Sequence, residues 1–173
     1  MLIVFAGLPG TGKTTIAKEL ARELEAVYLR IDSIEQTLRD SGAYNSLTGD
    51  SGYCVAYVIA EENLRLGRTV ITDSENPLEL TRDAWLKVAS RADVRAIEIE
   101  LKCSDVEAHR QRVEARVTDV AGLKLPRWQN VIRREYHSWT REHMVVDTAC
   151  HDVKDCVSMI RAALNERAMQ QSG

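Results

Sequence analysis

Cysteine, proline and charge of one sign are all scarce in this sequence. Four cysteines, Cys54, Cys103, Cys150 and Cys156, show no close-paired spacing. That speaks for reduced, mostly buried thiols in a cytosolic protein, with a metal site as the lesser alternative. Only three prolines are present, and no Pro-rich, low-complexity or repeated tract divides the chain. Residues 1–173 therefore read as one domain, large enough to bury a core. The net charge of −3 is too mild to make nucleic acid or an acidic membrane surface an obligatory partner. Long apolar runs are missing too. The longest, Met1–Leu8, falls far short of a membrane span and follows no basic leader. The expectation is a cytoplasmic protein, neither exported nor membrane-inserted, acting as a monomer or homodimer.

What is present alternates. Short β-branched runs at Leu2–Ala6, Val27–Ile31, Thr69–Thr72, Val94–Leu101 and Met144–Val146 read as strands buried on both faces. Helical stretches lie between them: Lys13–Glu25, Tyr53–Leu66 stopping at Gly67, a helix capped by Asn76 with Pro77 first, and Asp105–Arg116 opened by the capping box Ser104–Glu107. Pro126 starts another through Ser138, and Asp152–Arg167 closes the chain. The order predicts an α/β fold with a five-stranded, mostly parallel sheet and helices on both faces. Ligands of such sheets bind beyond the carboxyl ends of the strands.

The stretch after the first strand, GLPGTGKT from Gly7 to Thr14, has the spacing of a phosphate-binding loop. Gly7, Gly10 and Gly12 permit the backbone turns that point successive N–H groups inward, with Leu8, Pro9, Thr11 and Thr15 in the same loop. The helix behind it aims its positive end at the anion. Lys13 supplies charge for the β- and γ-phosphates and Thr14 a hydroxyl for magnesium. ATP and Mg2+ are the expected cofactors.

Asp32 closes VYLRIDS and Asp73 closes TVITDS. A carboxylate at the first position can take or orient a hydroxyl proton, and at the second it can hold magnesium. The same residues also suit an N-cap and a strand-end turn. Glu35 and Glu75 stand nearby as candidates for the acceptor pocket. Between Lys102 and Arg141 the chain holds nine Lys/Arg against five Asp/Glu, so positive charge concentrates there. Arg112 and Arg116 share a helix face. Two basic helices joined by a mobile connection, at about 110–140, read as a lid over bound nucleotide or, more plainly, as helices with solvated arginines. Trp128, Tyr136 and Trp139 recur at helical spacings that suit core packing.

With these residues the chain resembles the small P-loop kinases, the superfamily of adenylate, shikimate, gluconate and adenylylsulfate kinases. Within it, the chain is similar to bacterial AAA-family and zeta-toxin-like ATP-binding proteins with a PxW…REYxxW segment, matched by Pro126, Trp128 and Arg134–Trp139. The resemblance implies a three-layer α/β/α P-loop NTPase fold with a helical lid. It further implies Asp32 as the catalytic base, Arg112 on adenine, Arg116 on the phosphates, and Thr148 and Ala149 bordering the base. Polynucleotide kinases usually carry an arginine where this chain has Glu35, and shikimate-type enzymes a second aspartate where it has Ile34.

The expected activity is transfer of the γ-phosphoryl group of ATP to a hydroxyl of a small molecule, with Lys13, Asp32 and Arg116 catalytic. The alternatives are an ATPase switch acting with a protein partner and a 5′-hydroxyl polynucleotide kinase. Segments 33–60 and 74–83 shape the acceptor pocket and are mostly acidic, which favours a neutral or cationic acceptor. Glu35 and Arg82 within them, and Asp32 just before the first, are the candidate acceptor ligands, Arg82 serving a single carboxylate.

Overall fold

The computed structural model describes residues 1–42 and 50–169. In chain order the elements are β1 (Leu2–Ala6), α1 (Lys13–Glu23), β2 (Val27–Arg30), α2 (Ile31–Asp40), α3 (Ser51–Arg65), β3 (Val70–Asp73) and α4 (Glu79–Arg91). They continue with β4 (Ala96–Lys102), α5 (Val106–Ala115), α6 (Trp128–Ile132), β5 (Met144–Asp147) and α7 (Val153–Met169). The five strands lie in the order β2-β3-β1-β4-β5, and every pairing is parallel.

Alternate strand residues face opposite layers. On one side Ile3, Phe5, Ile99 and Leu101 meet Ile16 and Leu20 of α1 and Ile160 of α7. On the other, Leu2, Val4 and Val70 meet Ala60 and Leu64 of α3 and Trp85 of α4. The result is the expected three-layer α/β/α arrangement. Because β3 lies between β1 and β2, the register sets Phe5 and Arg30 both opposite Asp73 at the carboxyl ends of the strands. Among the described residues, no helix is long and apolar enough to cross a membrane.

Several local expectations are corrected. The helix expected from Pro126 to Ser138 is only Trp128–Ile132, and the chain then runs irregularly to β5. Long-range partners override the helical spacing there. Arg141 pairs with Glu98 at 2.6 and 2.8 Å and with Asp83 at 2.6 Å, while His143 lies 3.1 Å from Glu100. Trp139 stacks on His143 with ring centroids 4.0 Å apart. This strap covers two buried glutamates of β4.

Asn76 is not a cap. It is buried in a left-handed conformation at φ 45, and its amide donates to the Phe5 carbonyl at 2.8 Å and accepts from the Trp85 indole at 3.2 Å. Helix α4 starts later, after Leu78. At α5 the cap is Asp105, not Ser104, with its carboxylate accepting from the Glu107 and Ala108 amides. Glu25 and Ile31 drop out of their expected elements because Glu25 turns left-handed at φ 49 and Ile31 already begins α2. Of the four free cysteines only Cys156 is buried.

Candidate nucleotide and acceptor site

The loop from Gly7 to Gly12 leaves β1 with no room for side chains at its turns. A Cβ on Gly7 would sit 2.3 Å from the Leu101 carbonyl oxygen, and one on Gly10, at φ +84, would sit 2.5 Å from Val113 of α5. Both glycines are therefore required by close approach as well as by backbone angle. Thr11 ties the loop internally through its hydroxyl to the Leu8 carbonyl at 2.9 Å. His109 of α5 reaches the Pro9 carbonyl at 2.8 Å.

Above the loop lies a cavity of about 570 Å³ lined by Gly10, Lys13, Thr14, Asp32, Asp73 and Arg116, among others. Pro9, Gly12, Thr15 and Arg112 also border it. Gly7, Leu8 and Thr11 do not reach it and support the loop from behind. Lys13 is buried, with its ammonium donating to the Leu8 carbonyl at 2.8 Å. Burial pushes its pKa down, against the pull of Glu75, Asp73 and Asp32. Asp73, buried at the end of β3, accepts the Tyr28 hydroxyl at 2.6 Å. Burial and the neighbouring Asp73 together raise the Tyr28 pKa, so that phenol stays a donor.

Asp32 lies in the first turn of α2, with Arg30 rather than Asp32 at the N-cap. Its carboxylate, 44% exposed, is 3.9 Å from the Arg30 guanidinium. Arg112 donates to the Thr148 hydroxyl at 2.8 Å and carbonyl at 2.9 Å, and Thr148 in turn donates to the Thr11 carbonyl at 3.1 Å. That knits α5, β5 and the loop together. Arg116 caps α5 and makes no ion pair among the described residues.

A second cavity of about 840 Å³ opens beside the first and shares Asp32, Ser74, Glu75 and Arg116 with it. Glu35 lines it. Arg82 does not. It is 1% exposed, donates to the carbonyls of Asn76, Pro77 and His137 at 3.0, 2.9 and 2.5 Å, and lies 4.2 Å from the Trp139 ring centroid. Arg82 anchors the strap to α4, so its expected role as an acceptor ligand is corrected. The acidic reading of this pocket is corrected as well. The stretch from 116 to 134 contributes Arg116, Lys124 and Arg134, which with Arg39 offset Asp32, Glu35, Asp50 and Glu75. Arg39 pairs with Glu35 at 3.0 Å, and Arg134 pairs with Glu75.

Three contributors escaped the sequence reading. Arg30 is buried at the end of β2 and reaches Asp119 at 2.6 Å, while Lys18 of α1 reaches the same carboxylate at 2.5 Å. Those two hydrogen bonds hold the Asp119 carboxyl well below the usual range. A basic residue in an otherwise buried strand was the available signal for Arg30. Nothing local marked its partner 89 positions away.

A family model described as an AAA domain matches residues 2–134. The chain is also similar to the uncharacterized protein Rv2004c of Mycobacterium tuberculosis, 31% identical over 126 residues, covering 66% of this chain and 25% of that protein. The chain thus spans about a quarter of the length of the curated relatives it matches. In three dimensions it resembles a gluconokinase from Sinorhizobium meliloti, with TM-score 0.66, 19% identity and coverage of 99% of this chain and 97% of that one. It likewise resembles the Mycobacterium tuberculosis APS kinase CysC in complex with AMPPNP and APS, with TM-score 0.64, 15% identity and coverage of 95% and 96%. At these identities the likeness is one of fold.

Proposed function

Because the chain belongs to the AAA domain family and has the fold of small P-loop kinases, we propose that it is an ATP-dependent kinase acting on a hydroxyl of a small molecule. One observation carries this reading. The cavity over the glycine loop and the larger cavity beside it meet at a wall that holds Asp32, Ser74, Glu75 and Arg116. A carboxylate at such a junction suits transfer between two bound molecules.

In this reading the loop amides and the N-terminus of α1 cradle the triphosphate, with Lys13 on its outer phosphates. Asp32 accepts the proton of the attacking hydroxyl as its oxygen bonds to the γ-phosphorus. The bond from that phosphorus to the bridging oxygen breaks, and ADP leaves. Arg116 neutralises charge on the moving phosphoryl group, and Arg112 lies along the nucleotide. Arg30, 3.9 Å away, helps to orient the Asp32 carboxylate.

The donor set also suits magnesium. The Thr14 hydroxyl and the Asp73 carboxylate offer hard oxygen ligands in one cavity, and Tyr28 engages only Oδ2 of Asp73. Among the described residues no cluster of three or more His, Cys, Asp or Glu forms a cage, which fits an ion held partly by phosphates. When bound, magnesium would neutralise phosphate charge at the reacting end.

The test is Asp32→Asn. It should cut acceptor phosphorylation on the order of 10²-fold or more while sparing Mg·ATP affinity measured by calorimetry. An equal loss of hydrolysis without acceptor would point instead to a water-activating ATPase.

A further inference from the structure

The second cavity is larger and more apolar than a site for one sugar ring requires. About 840 Å³ stands in the upper part of the roughly 300–1,000 Å³ range of sites that enclose drug-sized ligands. Half of its charged side chains pair with one another, Glu35 with Arg39 and Glu75 with Arg134, which leaves Asp32, Asp50, Arg116 and Lys124. Beside them it offers carbon. Pro77, Leu78 and Leu80 enter from the start of α4, and Leu123, Leu125 and Pro126 enter from the connection between α5 and α6.

Leu80 is 73% exposed on the first turn of α4, where a polar residue would serve a helix start equally well. The opposite jaw follows a close approach to α2: a Cβ on Gly122 would lie 3.0 Å from the Gln36 amide. The space between the jaws is continuous with the wall at Asp32.

Building on the kinase reading, we propose that the acceptor is an amphipathic alcohol, whose aromatic or branched-alkyl body lies between Pro77–Leu80 and Leu123–Pro126 while its hydroxyl faces Asp32. The apolar jaws supply most of the selective binding, because burying a ring or branched chain there removes carbon surface from water on both sides. Polar groups on the same molecule meet the Glu35–Arg39 and Glu75–Arg134 pairs at the rim.

The experiment compares matched acceptors with the full chain and Mg·ATP: hexoses, sugar acids and amino alcohols against their phenyl and branched-alkyl derivatives. Phosphorylated product is read by mass spectrometry. The derivatives should exceed their parents by about 10-fold or more in kcat/KM. Leu80→Asp, on an exposed position where folding tolerates it, should erase that preference by raising KM for the derivatives alone, and Leu125→Ser should do the same from the other jaw. Parents phosphorylated as well as derivatives, or a preference that survives both substitutions, would overturn the proposal and leave the kinase standing. ATP bound and hydrolysed with no member of either set phosphorylated would overturn both.

Discussion

Replacing Gly10 with alanine tests how tightly α5 is coupled to the glycine loop. The new Cβ meets Val113 Cγ2 at 2.5 Å and His109 Cδ2 at 3.3 Å, on a backbone held at φ +84. The left-handed conformation costs about 1–2 kcal/mol for a residue with a Cβ. Overpacking against α5 adds roughly 1–3 kcal/mol. Together, ~2–5 kcal/mol corresponds to a fall of about 5–20 °C in Tm for a chain of this size. Scanning calorimetry would measure it, and titration calorimetry should show Mg·ATP affinity falling about tenfold or more as the loop or α5 shifts.

The two contributions separate in a double-mutant cycle. Val113 is buried at 5% exposure, so Val113→Ala alone leaves a small cavity. Combined with Gly10→Ala it gives the new methyl room, and the pair should recover about 1–3 kcal/mol relative to the sum of the singles. The conformational share should not be recovered. Additivity within about 0.5 kcal/mol would refute the close contact between α5 and the loop.

Arg82→Leu would strip the donor from the carbonyls of Asn76, Pro77 and His137. It should lower stability in urea by roughly 2–4 kcal/mol, with acceptor KM unchanged in the folded protein; unchanged stability with a raised KM would return Arg82 to the acceptor. Asp119→Asn should speed hydrogen exchange across 117–125 while losing at most about 1 kcal/mol, because the carboxylate is 57% exposed. The folded-state pKa of Asp119 lies below its unfolded value of about 3.9, so this contact contributes fully above about pH 4 and fades as pH falls through the folded value. Protection already lost between pH 7 and 5 would contradict it.

The sequence made the sheet and the loop legible because each rests on local chemistry. Leu2–Ala6 is apolar throughout since both its faces are covered, and the Gly7–Thr14 spacing follows from one anion. Asp73 was visible as an acid ending an apolar run. The strap was not, because Arg141, His143 and Trp139 answer to Glu98, Glu100 and Arg82 more than 40 positions away, while the spacing of Trp128, Tyr136 and Trp139 mimics a helix. Asn76 looked like a cap because its residue type suits one, yet its amide closes a gap between β1 and α4. The second cavity looked acidic because segments 33–60 and 74–83 were weighed without the stretch from 116 to 134. Arg116, Lys124 and Arg134 enter only after the connection between α5 and α6 folds against α2 at Gly122.

The contact of Thr148 with both Thr11 and Arg112 imposes an order on the protein's birth. During synthesis the glycine loop emerges first, but its last brace lies 137 positions later. A nascent chain halted before β5 would carry every glycine of the loop and Arg112, yet lack the hydroxyl that joins Arg112 to the loop. Until residue 148 clears the ribosome, the growing polypeptide should be a poor ligand for ATP.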